Sequence, residues 1–121
     1  TLAALRALHA VQNQFSQHLM VGELRTIAAD TLWLSSAYQQ DCLAFHFTWH
    51  PDTAAVLPVV SLLEQQLAPF GPRPHWGKIF TTPAAELAGR YHRLPDFLDL
   101  ARHYDPAGKF RNAYTARCLG R

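Results

Sequence analysis

The 121-residue sequence predicts an α+β fold, an antiparallel sheet with helices packed on one face. Three observations predict it. Residues 42–49 alternate Leu43, Phe45, Phe47 and Trp49 with Cys42, Ala44, His46 and Thr48, the period of two of a strand with unlike faces. Shortly afterwards Val56, Val59, Val60, Leu63 and Leu67 fall on one helical stripe. Finally, neither a G-x-G-x-x-G nor a P-loop sequence occurs, which removes the usual backbone cradle for a dinucleotide or triphosphate and any support for a parallel doubly wound sheet. At roughly 100 to 200 residues per domain the length suits one core, and 49% hydrophobic with 17% charged residues is ordinary globular composition.

Taken in order, Leu2, Leu5, Leu8, Gln12, Phe15 and Leu19 show a roughly helical apolar spacing. This spacing starts directly at Thr1, without an initiator methionine, so the chain reads as beginning inside a longer protein, with a processed mature start as the alternative. A first strand is expected over 21–28, with Glu23, Arg25 and Ile27 on one face and Leu24, Thr26 and Ala28 on the other. The second strand, 42–49, ends at His50-Pro51-Asp52. Asp52 can cap the helix that follows, and Pro58 removes one donor and should kink it early. Pro69, Gly71, Pro72 and Pro74 make a rigid exit. Residues 75–81 read as a short third strand, followed by a helical turn opening at Pro83 after a Thr82 cap. Another helix is expected from near Pro95, with Phe97, Leu100, Ala101 and Tyr104 inward and a stop at Asp105-Pro106-Ala107-Gly108. The last residues look irregular.

Several function classes are disfavoured. Eleven Lys and Arg against nine acids leave a formal charge of +2, without the basic cluster that phosphate neutralisation requires, so nucleic acid is not an expected partner. No apolar run approaches the roughly 20 residues of a membrane span, and no export signal is visible, so a cytoplasmic location is expected. Cys42 and Cys118 lie far apart with no C-x-x-C spacing, which suits a reducing compartment. Among seven histidines, His46 and His50 are four apart. On a strand that is ~13 Å, too far to share a zinc ion bound at about 2.0 to 2.1 Å, so no metal is expected.

The chemistry-bearing residues are few. Strand alternation puts Glu23 beside Arg25, which alone is an ordinary surface ion pair worth about 0 to 1 kcal/mol. Lys78, alone, is an ordinary solvated lysine. It follows Pro74, His75, Trp76 and Gly77, however, where aromatics and a glycine bring a cation close to packed surface. The charged groups and Thr48 can then line one pocket.

Four segments carry a resemblance: Glu23-Leu24-Arg25-Thr26, His46-Phe47-Thr48-Trp49, Arg73-Pro74-His75-Trp76-Gly77-Lys78 and Asp105-Pro106-Ala107-Gly108-Lys109-Phe110-Arg111-Asn112. In this order and spacing they resemble the C-terminal part of the FAD-dependent sugar-alcohol (alditol) and sugar-1,4-lactone oxidases, flavoenzymes of the vanillyl-alcohol-oxidase type. The resemblance implies a two-domain enzyme in which residues 1–121 form a C-terminal fragment of the substrate (cap) domain, residues from about 105 to 121 resemble the tail that returns toward the FAD domain, and that N-terminal domain lies outside this chain. It implies catalytic roles for Arg25 and Lys78 beside the reacting hydroxyl, substrate contacts for Glu23 and Thr48, and supporting positions for His46, His75 and Trp76.

The implied reaction is oxidation of the primary alcohol of a polyol, with hydride passing to FAD and electrons to oxygen to give hydrogen peroxide. Fixed cations beside the oxygen would stabilise alkoxide character as the hydride leaves. Two alternatives accompany this expectation: aldonolactone oxidation of the D-arabinono-1,4-lactone type, and a stand-alone binding module without a redox centre. The isolated chain is expected to bind no FAD and to self-associate if the surface meant for the flavin domain is apolar.

Overall fold

A computed structural model describes residues 2–120. Helices α1 (Leu2–Ala10) and α2 (Gln12–Phe15) lead through a 3₁₀ turn into strand β1 (Leu19–Ile27), which pairs antiparallel with β2 (Cys42–Trp49). Helix α3 (Thr53–Leu67) follows, then α4 (Ala84–Arg90), α5 (Leu94–Tyr104) and α6 (Ala113–Leu119). The α+β class read from the sequence is the class observed.

Alternation in β2 decides which side of the sheet is covered. Phe45, Phe47 and Trp49 point toward the helices and pack around buried Leu8, Phe15, Val59 and Leu63. Phe15 meets Phe47 and Trp49 edge-on at centroid distances of 6.1 and 6.5 Å, and Phe47 stacks on Trp49 at 5.3 Å, favourable arrangements for ring quadrupoles. Asp52 caps α3 as expected, its Oδ1 accepting from the Ala55 N–H at 3.1 Å. The helix continues through Pro58 in its second turn.

In β1, Leu19 lies opposite Trp49, whereas Val21 lies opposite Thr48, so Met20 is an extra residue and the strand carries a bulge. Leu19 thereby joins the helix-side core. From Val21 on, the register puts Glu23 opposite His46 and Arg25 opposite Ala44. The strand begins two residues earlier than the sequence pattern suggested because this bulge resets its alternation.

A second core gathers Phe80, Leu87, Tyr91, Leu94 and Cys118, with Trp76, Phe97, Leu98 and Leu119 packed against it. Trp76 and Tyr91 are 4.7 Å apart by ring centroid, and the Tyr91 hydroxyl donates to the Pro74 carbonyl at 2.5 Å. The two cores are tied by Glu64 of α3. Its carboxylate accepts from the backbone N–H and hydroxyl groups of both Thr81 and Thr82.

Four expectations are corrected here. Residues 75–81 form no strand: the Lys78 N–H donates to the His75 carbonyl and closes a turn, because Trp76 is drawn into the second core. Thr82 does not cap α4. Its polar groups are taken by Glu64, and Pro83 stands at the N-cap while its carbonyl accepts from Glu86 and Leu87. Helix α5 turns Leu94, Phe97 and Leu98 inward with Ala101 half-buried, leaving Leu100 and Tyr104 exposed, because it starts a residue earlier and its apolar stripe is set by Leu94. The tail is helical rather than irregular. Asn112 and Thr115 exchange hydrogen bonds with each other's backbone in a capping box that opens α6.

Candidate functional site

The sheet face away from the helices carries the polar residues. Cross-strand neighbours share a face, so Val21 with Thr48, Glu23 with His46 and Arg25 with Ala44 all project to this side. There, Arg25 Nη2 donates to Glu23 Oε2 at 2.6 Å, and His46 Nδ1 donates to the same oxygen at 2.9 Å. The two donors hold the Glu23 carboxyl below its usual range, the hydrogen bond from His46 first and that from Arg25 second. Glu23 therefore remains an acceptor-only carboxylate, and among the described residues its Oε1 has no hydrogen-bond partner. Thr48 stands two residues from His46 on the same face, about 7 Å along the strand.

This cluster is accessible. The side chains of Arg25, Glu23 and His46 are 64%, 40% and 31% exposed. A guanidinium, an imidazole, a hydroxyl and a carboxylate with an unengaged oxygen thus stand on one open surface. They can receive a molecule that both donates and accepts hydrogen bonds, as a row of hydroxyls does.

The other expected residues lie on a different element. His75 Nδ1 accepts from the Gly77 N–H at 3.0 Å, which shapes the turn. Trp76 Nε1 donates to the Leu34 carbonyl at 2.9 Å, anchoring the same turn to the loop between the strands. Lys78 is exposed at its end, and no hydrogen bond or ion pair among the described residues joins its side chain to the Glu23 cluster. The structure thus gathers Glu23, Arg25, His46 and Thr48 on one face, and His75, Trp76 and Lys78 on one turn.

Sequence reasoning placed Glu23 beside Arg25 but did not find the bond from His46 to Glu23, which depends on hairpin register. It also passed over Glu64, for which no local motif exists, since its threonine partners are 17 and 18 residues away.

No group of three or more His, Cys, Asp or Glu among the described residues could hold a metal. Nor do the described residues enclose a flavin. Two hollows, of about 250 and 320 Å³, lie between α5 and α6 and between α3 and α4, away from the Glu23 face.

The profile of the D-arabinono-1,4-lactone oxidase family matches residues 1–118. The chain belongs to this family. It is 51% identical to a Streptomyces alditol oxidase over 93% of its own length, and 34% identical to a Mycobacterium tuberculosis L-gulono-1,4-lactone dehydrogenase over 81%. A long-chain alcohol oxidase from an uncultured marine euryarchaeote is 28% identical over 98%. The chain spans only about a quarter of these family relatives, 27% of the alditol oxidase and 23% of the dehydrogenase. No described helix is long and apolar enough to cross a membrane.

Proposed function

We propose that residues 1–121 are a C-terminal fragment of the substrate (cap) domain of an FAD-dependent oxidase acting on the primary alcohol of a polyol, with hydrogen peroxide as the second product. The observation that carries this reading is the open polar face, where Arg25 and His46 converge on one oxygen of Glu23. The 51% identity to an alditol oxidase supports the polyol over other alcohols. FAD, bound by a separate N-terminal domain, would supply the hydride acceptor.

In this reading Glu23 accepts hydrogen bonds from substrate hydroxyls through Oε1, and Thr48 adds one more contact. Arg25 places a fixed cation beside the reacting oxygen, stabilising charge as the hydride leaves. Lys78 supplies a second cation from the turn at 75–78, whose shape the His75 and Trp76 hydrogen bonds set. Residues 105–121 return to the flavin domain. There Asp105 holds the turn rigid by accepting from the Lys109 and Phe110 N–H groups at 2.7 and 3.1 Å.

A second reading, oxidation of a sugar-1,4-lactone, is favoured by the family profile and by the dehydrogenase relative. Peroxide release by the longer protein on xylitol and on arabinono-1,4-lactone separates the two. Faster turnover of xylitol is expected, and turnover confined to the lactone would overturn the polyol assignment. The 121-residue chain alone should bind no flavin stoichiometrically. A flavin absorption spectrum on the purified chain would contradict the division of labour.

A further inference from the structure

Lys78 stands on a segment that no regular element holds. Residues 71–83 belong to neither helix nor strand, so no ladder of backbone hydrogen bonds fixes the position of its ammonium. The turn closed by the Lys78 N–H on the His75 carbonyl, at 3.0 Å, sets local shape only. The place of that turn against the rest of the chain depends on side chains that reach it from elsewhere.

Two of these are tyrosines, and each engages a main-chain carbonyl. The Tyr91 hydroxyl, from the junction of α4 and α5, donates to the Pro74 carbonyl at 2.5 Å, and its ring lies 4.7 Å from that of Trp76. The Tyr114 hydroxyl, from the first turn of α6, donates to the Trp76 carbonyl. Its ring also meets that of buried Phe80 edge-on at 6.4 Å. Trp76 and Phe80 stand two residues before and two after Lys78, so Tyr114 braces the chain on both sides of the lysine. Each hydroxyl has one proton and gives it to the main chain, so neither is left as a donor for a substrate. Tyr91 is only 1% exposed, so its contact with the turn is internal to this stretch of chain and does not depend on what a longer polypeptide covers.

We propose that Tyr91 and Tyr114 are positioning residues that hold the Lys78 ammonium at the reacting oxygen by fixing the Pro74 and Trp76 carbonyls. This rests on the assignment of Lys78 as the second cation of the proposed reaction. A cation that stabilises charge as the hydride leaves acts in the transition state, where a misplacement of about 1 Å costs about 10²-fold in rate. Removing one of two anchors loosens the turn without releasing it, so a loss of about tenfold is expected for each.

Kinetics of the longer, flavin-bearing protein test this, with rates taken per bound flavin on whichever of xylitol and arabinono-1,4-lactone it oxidises faster. Tyr91→Phe and Tyr114→Phe keep the rings and delete the hydroxyls. Each should lower kcat about tenfold with KM near that of the parent, because the lost interaction is made in the transition state. In a Lys78→Met background neither should lower kcat by more than about twofold further, since the cation being positioned is gone. Tyr114 is 39% exposed, so its variant carries the same test if deleting the buried Tyr91 hydroxyl prevents folding. A tyrosine that only supports the fold would lower melting temperature and yield, and any loss of kcat would recur undiminished in the Lys78→Met background. That recurrence, or an unchanged kcat in either single variant, overturns the inference while leaving Lys78 as a catalytic group. A neutral Lys78→Met instead removes the role of the cation, and the inference with it.

Discussion

Replacing Glu64 by alanine should loosen the join between the two cores far more than an exposed carboxylate normally would. Glu64 Oε1 accepts from the Thr82 hydroxyl at 2.9 Å and from its N–H at 3.4 Å, while Oε2 accepts from the Thr81 N–H at 3.0 Å. Thr81 is exposed, so water can replace its lost partner. Thr82 is 5% exposed, so its donors would be left buried and unsatisfied. At about 1 to 3 kcal/mol for each of the two orphaned Thr82 donors, and with alanine's gain in helix propensity amounting to a few tenths, the net loss should be ~2 to 5 kcal/mol. Denaturant titration measures this directly. Thr82→Val removes the donor hydroxyl while keeping the shape, so the double variant should lose less than the sum of the singles. A loss below ~0.5 kcal/mol for Glu64→Ala, or strict additivity in the cycle, would show that the clasp contributes little to stability.

In the longer protein, Arg25→Lys should lower turnover by ~10²- to 10³-fold, because a point-like ammonium cannot hold Glu23 and a substrate oxygen together; near-normal steady-state kinetics would reduce Arg25 to a surface ion-pair partner. Lys78→Met, which removes a cation while keeping most of the stem, should lower turnover with little change in melting temperature, and unchanged activity would eliminate its proposed role. Burial raises the Tyr91 hydroxyl above its usual pKa of 10.0, so the folded state keeps a proton that the unfolded state releases. Stability should be flat below pH 10 and fall as pH rises through the folded value; a pH series of denaturation midpoints should show this slope in the parent and a shallower one in Tyr91→Phe.

The sequence made legible whatever depended on local periodicity. β2 and α3 were readable because their apolar residues repeat at two and at 3.6 positions, and Asp52 because its cap lies within three residues of its acceptor role. The region after α3 was less legible. Trp76 and Phe80 alternate like strand residues, but their rings are held by Tyr91, Tyr114 and Leu34, partners dozens of residues away or nearly so. The tail helix did have a local signal, an Asn112-x-x-Thr115 capping pair, which the preceding Pro and Gly overshadowed. For the site, alternation showed that Glu23 and Arg25 share a side. The convergence of His46 on Glu23 required knowing which residues face each other across the hairpin, a relation that neither strand encodes alone.

The bulge at Met20 gives the strand a change of phase. Before it, the alternation serves the aromatic core through Leu19; after it, the same alternation serves the polar side through Glu23 and Arg25. A uniform strand would force one rule on both ends, so that either Leu19 left the core or the ionic residues entered it. One extra residue uncouples the two demands. The open side can therefore change its chemistry by substitutions at Glu23 and Arg25 without disturbing how Leu19 docks against Trp49, whereas losing a single residue at position 20 would exchange inside for outside along the rest of the strand.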